Sequence, residues 1–231
     1  IPKPWEKEKL LATLSSAVKL CQSRREVKQL QTRLEALSES DKDAPLMIGE
    51  SKAMQEVFAS IHQLSNTDAN ILILGENGTG KDLVARSLRH FSSRQQAPFV
   101  TIDLGSVPES LFESELFGYE KGAFTDARKA KAGRMEVASG GTLFLDEIGN
   151  LSLAMQSKLL TAIEKRQISR LGATRSIPIN IRLICATNAN IRQMVEDGTF
   201  RQDLLYRINT VEIHIPPLRE RGEDVILLAE Y

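Results

Sequence analysis

The sequence has few of the features that mark secreted and membrane proteins. It contains two cysteines in 231 residues, Cys21 and Cys185, which are too few for a disulfide framework and are typical of a reducing compartment. Its apolar runs are no longer than a strand, so we expect no membrane-spanning segment. Pro2, Pro4 and five charged residues fall within the first nine positions, which argues against a signal peptide. We therefore expect a cytoplasmic protein that does not bind membranes.

An excess of one charge is also lacking. The 30 basic and 30 acidic side chains give a formal net charge of zero. Residues 1–44 carry nine basic and seven acidic residues, so neither this segment nor the remainder predicts a basic arm for nucleic acid. The three histidines have no Cys neighbour and no histidine four residues away, so we expect no metal site built on them. Hydrophobic residues make up 42% of the chain, enough for a buried core.

Glycine and proline are absent from Trp5 to Ala44, where apolar residues recur at helical spacing. Five of them fit a heptad pattern: Leu20, Val27 and Leu34 at one core position, Leu30 and Leu37 at the other. Two interpretations stay open, an ordinary helix packed on its own domain or a dimerising connector helix. A polar break at residues 38–45 favours the connector. We therefore predict a connector in residues 1–40 and a second domain in residues 41–231.

Continuous apolar runs alternate with helix-length stretches after residue 45. The runs predict five strands: Ile71–Leu74, Phe99–Ile102, Leu143–Leu145, Ile181–Ile184 and Val211–Ile215. The stretches between them predict five helices: Lys81–Phe91, Glu109–Phe117, Lys131–Ala138, Ser152–Lys165 and Ile191–Glu196. Continuous apolar strands are typical of parallel sheets buried on both faces, and the alternation predicts an α/β fold.

The first predicted strand leads directly into a glycine-rich loop and a helix. The glycines and Lys81 have the G-x-x-x-x-G-K spacing of a phosphate-binding loop in the strand-loop-helix context that this loop requires. Glycines let backbone N–H groups curl around a phosphate, and the lysine reaches its terminal oxygens. The alternative is a glycine-rich turn that binds nothing. The predicted nucleotide-binding residues are Gly75, Glu76, Asn77, Gly78, Thr79, Gly80, Lys81, Asp82 and Leu83.

Two adjacent acids, Asp146 and Glu147, follow the third predicted strand. At the carboxyl end of a strand beside a phosphate loop, Asp146 is placed to hold Mg²⁺ and Glu147 to polarise a water for attack on the γ-phosphate of ATP. The alternative is an acid pair that only complements the dipole of the next helix.

Several segments resemble the AAA+ domain of bacterial sigma-54-dependent transcription activators. They are GENGTGKD, GYEKGAFTDA, GGTLFLDEIG, FRQDLLYRIN and PPLRERGED, and the likeness runs from Leu46 to Tyr231. The resemblance implies a P-loop AAA+ three-layer sandwich with a five-stranded, mostly parallel sheet. It also accounts for Asp82, because an acid commonly follows the loop lysine in this family. We expect the chain to end before the C-terminal helical lid of the family.

The family implies a ring-forming ATPase that remodels the closed complex of sigma-54 RNA polymerase. Its sigma-54 contact loop matches six residues here: Gly122, Ala123, Phe124, Thr125, Asp126 and Ala127. An exposed aromatic offers a large contact area with few rotatable bonds, although a phenylalanine in a loop can also belong to the core. Asp126 departs from the usual glycine and adds a charge beside the tip.

The resemblance also assigns roles to four single residues. Arg201 and Arg207 match the arginines that act on the γ-phosphate of a neighbouring subunit, whereas the alternative is ordinary salt bridges such as one with Asp203. Asn188 matches the residue that senses the phosphate or orients the water; the alternative is a turn asparagine. Asp103 stands where the family often has an Asn that restrains the water-activating Glu, so we expect an altered switch.

The first five residues, IPKPW, resemble the end of a response-regulator receiver domain, with Lys3 at the signalling lysine. This second resemblance implies regulation by an upstream histidine kinase. The activator family implies a homo-oligomer that is a hexameric ring when active, and the connector helix predicts a dimer when inactive. DNA binding is expected only through a further C-terminal domain. Two other functions were considered. A module that binds nucleotide and assembles but hydrolyses ATP poorly stays open, whereas a protein unfoldase or helicase would not need the loop at residues 122–127.

Overall fold

The computed structural model describes residues 47–230, so the predicted connector and the receiver-like segment lie outside the described residues. Helices in the described range are α1 (Lys52–Ser65), α2 (Lys81–His90), α3 (Glu109–Phe117), α4 (Arg134–Val137), α5 (Leu153–Lys165), α6 (Ile191–Glu196), α7 (Gln202–Ile208) and α8 (Asp224–Glu230). Short 3-10 turns cover Ile148–Asn150 and Leu218–Glu220. None of these helices is both long enough and apolar enough to cross a bilayer.

Five strands of the described range form one parallel sheet in the order β2-β5-β8-β1-β9. They are β1 (Ile71–Leu74), β2 (Phe99–Asp103), β5 (Thr142–Asp146), β8 (Arg182–Thr187) and β9 (Val211–His214). Two antiparallel pairs of two-residue strands lie outside it: β3 (Gly118–Tyr119) with β4 (Lys131–Ala132), and β6 (Gln167–Ile168) with β7 (Ile177–Pro178). The predicted α/β class is confirmed, and the main sheet is parallel throughout.

Helices cover both faces of the sheet because successive strand residues point to opposite sides. Ile71 and Ile73 of β1 pack with α1 and α2, through residues such as Val57 and Leu88. Leu72 faces the other side, where the second core contains side chains of α3, α5 and α7. The arrangement has the three layers expected of the fold. Cys185 lies fully buried in β8, as a small core residue.

One predicted helix, Lys131–Ala138, is wrong. Lys131 and Ala132 form β4, Gly133 is extended, and only Arg134–Val137 is helical. A Cβ atom on Gly133 would lie 2.3 Å from the carbonyl carbon of Phe117, so the chain crosses too closely there for any other residue. This close crossing holds β3 beside β4, so the helix begins only at Arg134.

Register places the ends of four strands, three of them polar, at one edge of the sheet. Asp103 at the end of β2 pairs with Asp146 at the end of β5, and Leu74 pairs with Thr187 at the end of β8. Because the strands are parallel, the segments that leave their carboxyl ends all emerge on the same side. Ligands bind at this edge in open α/β sheets.

Candidate active site

The glycine-rich loop between β1 and α2 has the backbone that its sequence predicts. Gly78 and Gly80 have φ angles of 77° and 94°, in the left-handed region that glycine adopts without strain. A Cβ atom on Gly75 would lie 2.8 Å from Thr79 Oγ1, so the loop also needs glycine at its start. The loop leads into the N-terminus of α2, where free N–H groups and the helix dipole favour an anion.

Lys81 lies across the mouth of this loop and is only 7% exposed. Its ammonium donates to the carbonyl oxygens of Gly75 and Glu76, at 3.2 and 3.4 Å. It also forms an ion pair with Glu147 Oε1 at 3.3 Å. The structure therefore brings together the predicted phosphate-binding lysine and the predicted water-activating carboxylate.

Glu147 has a backbone conformation that is uncommon for a residue with a side chain. Its φ angle is 54°, which costs on the order of 1–3 kcal/mol for a residue other than glycine. Its Oε2 atom accepts hydrogen bonds from the Asn188 N–H at 3.2 Å and from Thr187 Oγ1 at 3.4 Å. These contacts hold the carboxylate at the edge of the sheet, and such strain is typical of a functional position.

Asn188 connects this carboxylate to the phosphate loop. Its side-chain amide donates to Asn77 Oδ1 at 2.8 Å, while its backbone N–H reaches Glu147. The contacts place Asn188 where the family resemblance assigns a phosphate sensor. The simple turn asparagine of the alternative interpretation would not need this bond to the loop.

Asp146 is a partly buried carboxylate with other acids close by. Burial raises the pKa of its carboxyl, and the charges of Glu147 and Asp103 raise it further, against the lowering effects of the Glu147 N–H and Lys81. Burial and the charge of Asp146 likewise raise the pKa of Asp82. A divalent cation beside Asp146 would relieve this repulsion, so the residues fit Mg²⁺.

The described residues contain no group of three or more His, Cys, Asp or Glu side chains able to hold a metal ion by themselves. Mg²⁺ usually binds through one or two carboxylates together with substrate phosphates and water, so a single carboxylate beside a phosphate loop suits it.

Asp103 makes its hydrogen bond within its own turn, not with Glu147. Its Oδ1 atom accepts the Gly105 N–H at 2.8 Å, and its strand position faces Asp146. Glu147 instead contacts Lys81, Thr187 and Asn188. The altered switch expected at Asp103 stays a prediction, and the contacts that hold Glu147 here come from the phosphate loop lysine and from the end of β8.

The loop at residues 122–127 lies within the connection between β3 and β4. It is closed by a hydrogen bond from the Gly122 N–H to the Ala127 carbonyl at 2.8 Å, and Gly122 has a φ angle of 84°. Phe124 is 43% exposed, and its ring meets the edge of Tyr119 at a centroid distance of 4.8 Å. The exposure does not suit the alternative of a core phenylalanine. Asp126 lies exposed beside the tip.

The two candidate trans-acting arginines are exposed at opposite ends of α7, with Arg201 just before the helix and Arg207 in its last turn. Arg201 donates to the Asp203 carboxylate at 2.6 and 3.0 Å and to Ser157 Oγ at 3.0 Å, so the predicted alternative of a salt bridge is present. Arg207 is exposed, and its carbonyl accepts a hydrogen bond from the Asn70 side chain just before β1. Arg207 thus lies near the amino end of that strand, away from the phosphate loop at the carboxyl end.

Sequence reasoning missed three residues that contact the phosphate loop or support its surroundings. Arg219 forms a two-pronged ion pair with Glu76 at 2.6 and 2.8 Å, and this pair lowers the pKa of Glu76. Arg221 donates to the Thr79 carbonyl, and Asp224 binds the start of α1. All three belong to the PPLRERGED segment, which carried the resemblance but suggested no role for single residues.

Residues 47–214 match the protein family described as the Sigma-54 interaction domain. The match covers the phosphate loop, both acids and the loop around Phe124. The chain belongs to this family. The resemblance drawn from the motifs to sigma-54-dependent transcription activators with a AAA+ domain is thereby confirmed.

Named relatives agree with the family. The chain is 48% identical over 217 residues to a Nif-specific regulatory protein of Herbaspirillum seropedicae, covering 94% of this chain and 39% of that protein. It is 42% identical over 231 residues to the DNA-binding transcriptional regulator NtrC of Escherichia coli, covering 100% of this chain and 48% of NtrC. The chain therefore spans less than half the length of these relatives.

A solved structure of NtrX from Brucella abortus in complex with ADP is similar to the chain as well. The TM-score is 0.76 with 33% sequence identity, over 100% of this chain and 49% of that one. The family and the P-loop fold therefore rest on agreement between motifs, sequence relatives and structure.

Proposed function

We propose that this member of the Sigma-54 interaction domain family binds ATP with Mg²⁺ and hydrolyses it. The observation that carries the proposal is the convergence of Lys81, Glu147 and Asn188 at the mouth of the phosphate loop. The three side chains come from different elements that meet only in the folded sheet. A phosphate-binding lysine, a base and an amide sensor are the groups needed for attack of water on a terminal phosphate.

Different residues of the chain bind the phosphates, hold the metal ion and activate the water. The loop N–H groups and Lys81 hold the phosphates, and Asp146 would hold Mg²⁺, which supplies neutralisation of the phosphate charge when bound. Glu147 orients a water and accepts its proton, while Asn188 positions the carboxylate through its backbone N–H. An anionic phosphate at the loop competes with Glu147 for Lys81, so substrate binding frees the carboxylate for the water.

The remaining parts of the proposal concern assembly and partners. Arg201, just before α7, and Arg207, in its last turn, are exposed, so a neighbouring subunit of a homo-oligomeric ring can approach them. Arg201 would exchange Asp203 for a phosphate. The exposed Phe124 loop is proposed to contact sigma-54 RNA polymerase and to couple hydrolysis to promoter opening. Control by a phosphorylated receiver rests on the resemblance at residues 1–5.

A second candidate is a module that binds nucleotide and assembles but hydrolyses ATP poorly. Two contacts favour it: Lys81 already neutralises Glu147, and Asp203 already occupies Arg201. Both contacts must be exchanged before the chain can carry out hydrolysis as proposed.

One experiment separates the two candidates. ATP binding and phosphate release are measured for the wild-type chain, for Glu147→Gln and for Glu164→Gln, an exposed glutamate on α5 that serves as the matched control. If the chain hydrolyses ATP as proposed, Glu147→Gln should bind ATP with unchanged affinity. Its rate of phosphate release should fall by about 100-fold or more, the usual contribution of a general base. If the wild-type chain binds ATP without releasing phosphate, the second candidate is correct.

A further inference from the structure

Arg221 is almost fully buried, and its guanidinium binds backbone carbonyls rather than a carboxylate. It is 5% exposed. Its Nη2 atom donates to the Thr79 carbonyl at 2.6 Å, and its Nε atom donates to the Pro216 carbonyl at 2.9 Å. Burying a guanidinium is unfavourable unless its donors are used, so the Thr79 carbonyl is a strong partner and not an incidental contact.

The contact at Thr79 determines which way a peptide group of the phosphate loop faces. In a planar trans peptide the C=O and the N–H point in opposite directions. Because the Thr79 carbonyl points to buried Arg221, the N–H of Gly80 points away from it, toward the open side of the loop. Gly80 has a φ angle of 94°, so a neighbouring bond is needed to select this orientation in a backbone that is unusually free to rotate.

We propose that Arg221 is a positioning residue that holds the Thr79–Gly80 peptide with its N–H facing the bound phosphates. The inference rests on the proposed function and adds a component outside the loop itself. Arg221 acts through the loop backbone and touches no phosphate, so its contribution is to the binding of the phosphoryl groups. Phosphate binding by backbone N–H groups depends on such preorganisation.

Asp224 fixes the segment that carries Arg221. It is 1% exposed and accepts the N–H groups of Glu50 and Ser51, at 2.7 and 2.9 Å, and the Ser51 hydroxyl at 2.6 Å. These bonds attach the segment to the start of α1, 173 positions earlier in the chain. Arg221 therefore has a fixed base from which to hold the loop.

Arg219 provides an internal comparison. It contacts the same loop through the Glu76 side chain, but this pair is exposed and involves no backbone carbonyl. Exposed ion pairs contribute little, and the pair places no constraint on a peptide plane. A role for Arg221 in orienting the backbone therefore predicts that the two arginines differ in their effect on nucleotide binding.

The test measures the ADP dissociation constant, the KM for ATP, kcat and the melting temperature of four proteins. They are the wild-type chain, Arg221→Met, Arg221→Lys and the control Arg219→Met. Arg221→Met removes both donors while keeping an extended side chain, and Arg221→Lys restores one donor. We expect ADP affinity to fall about tenfold in Arg221→Met, with a parallel rise in KM, a change in kcat below about threefold, and partial recovery in Arg221→Lys. Arg219→Met should bind ADP within about twofold of wild type.

Two results overturn the inference. In the first, Arg221→Met folds and has a lower melting temperature but binds ADP with wild-type affinity, which would make Arg221 a purely structural residue. If Arg221→Met does not fold, the same result for Arg221→Lys leads to the same conclusion. In the second, both arginine sites weaken ADP binding equally. If the wild-type chain itself fails to bind ADP, the proposed function fails instead, so the two failures are distinguishable.

Discussion

At the scale of single residues, Asp103 is the clearest chain-specific feature of the site. Its carboxylate accepts the Gly105 N–H and faces Asp146 across two paired strand ends. A Cβ built on Gly105 would lie 3.2 Å from Asp103 Oδ1 and 3.8 Å from Glu147 Cγ, so the two acids border the same small space. A carboxylate there can accept hydrogen bonds but cannot donate one to Glu147, which an asparagine amide can.

Asp103→Asn is therefore expected to slow hydrolysis by a few-fold. The new amide donor restrains Glu147 by a hydrogen bond, while its oxygen still accepts the Gly105 N–H. Phosphate release is measured with and without sigma-54 RNA polymerase, and Asp197→Asn, at an exposed aspartate after α6, is the control. Equal rates for Asp103→Asn and wild type in both conditions would refute an altered switch at this position.

At the scale of elements, the segment before α8 joins parts of the fold that no local pattern connects. Asp224 binds the start of α1 through three hydrogen bonds, and Arg221 reaches the loop before α2. Although burial raises the pKa of Asp224, the hydrogen bonds from Ser51 and Glu50 and the charge of Arg221 hold it below its ordinary value. The ionised carboxylate therefore stabilises the folded chain.

Asp224→Asn is expected to lower the free energy of unfolding by about 2–3 kcal/mol at pH 7. The NH2 group of the new amide is a donor, and it would face the Glu50 and Ser51 donors that the carboxylate now accepts. Urea denaturation measures the change, with Asp197→Asn as an exposed control expected to shift by less than about 0.5 kcal/mol. The folded pKa lies below the unfolded one, so the benefit of ionisation is present above the ordinary carboxyl pKa of about 3.9 and is lost as the pH falls through the folded value. A loss of stability below 0.5 kcal/mol at pH 7 would contradict this assignment.

The hairpin loop between β3 and β4 is the second element with its own prediction. Phe124 makes an edge contact with Tyr119 and no part of the sheet core depends on it, so Phe124→Ala should leave ATP hydrolysis within about twofold of wild type. Promoter opening by sigma-54 RNA polymerase should be lost, because the proposed function assigns the contact area to this exposed ring. Open-complex formation is measured beside Phe91→Ala, another exposed phenylalanine. Normal opening by Phe124→Ala would show that the loop is not the contact.

At the scale of the whole molecule, the sheet and the site were predictable to different extents. Strands buried on both faces appear in the sequence as apolar runs, and the phosphate loop and the acid pair occupy fixed offsets from two of those runs. Helix α1 also carries a helical pattern, in Met54, Val57 and Ile61, which we overlooked. The two-residue strands around Gly133 arise from a close backbone crossing that leaves no periodic signal.

The site contacts that the sequence did not predict join distant parts of the chain. The bond between Arg221 and Thr79 spans 142 positions, and the bond from Ser51 to Asp224 spans 173. Nothing in the local sequence specifies such partners, although the PPLRERGED segment drew attention to the region. The family resemblance identified the segment, and the folded structure gave its side chains a physical role.

In the proposed function, this chain hydrolyses ATP at sites completed by assembly. Phosphate release is measured over a range of chain concentrations for the wild-type chain and for Lys81→Ala, which removes the lysine that holds the phosphates and pairs with Glu147. Turnover per chain should rise with concentration, and Lys81→Ala should abolish it. Turnover that Lys81→Ala retains, or no phosphate release at any concentration, would contradict ATP hydrolysis at this site.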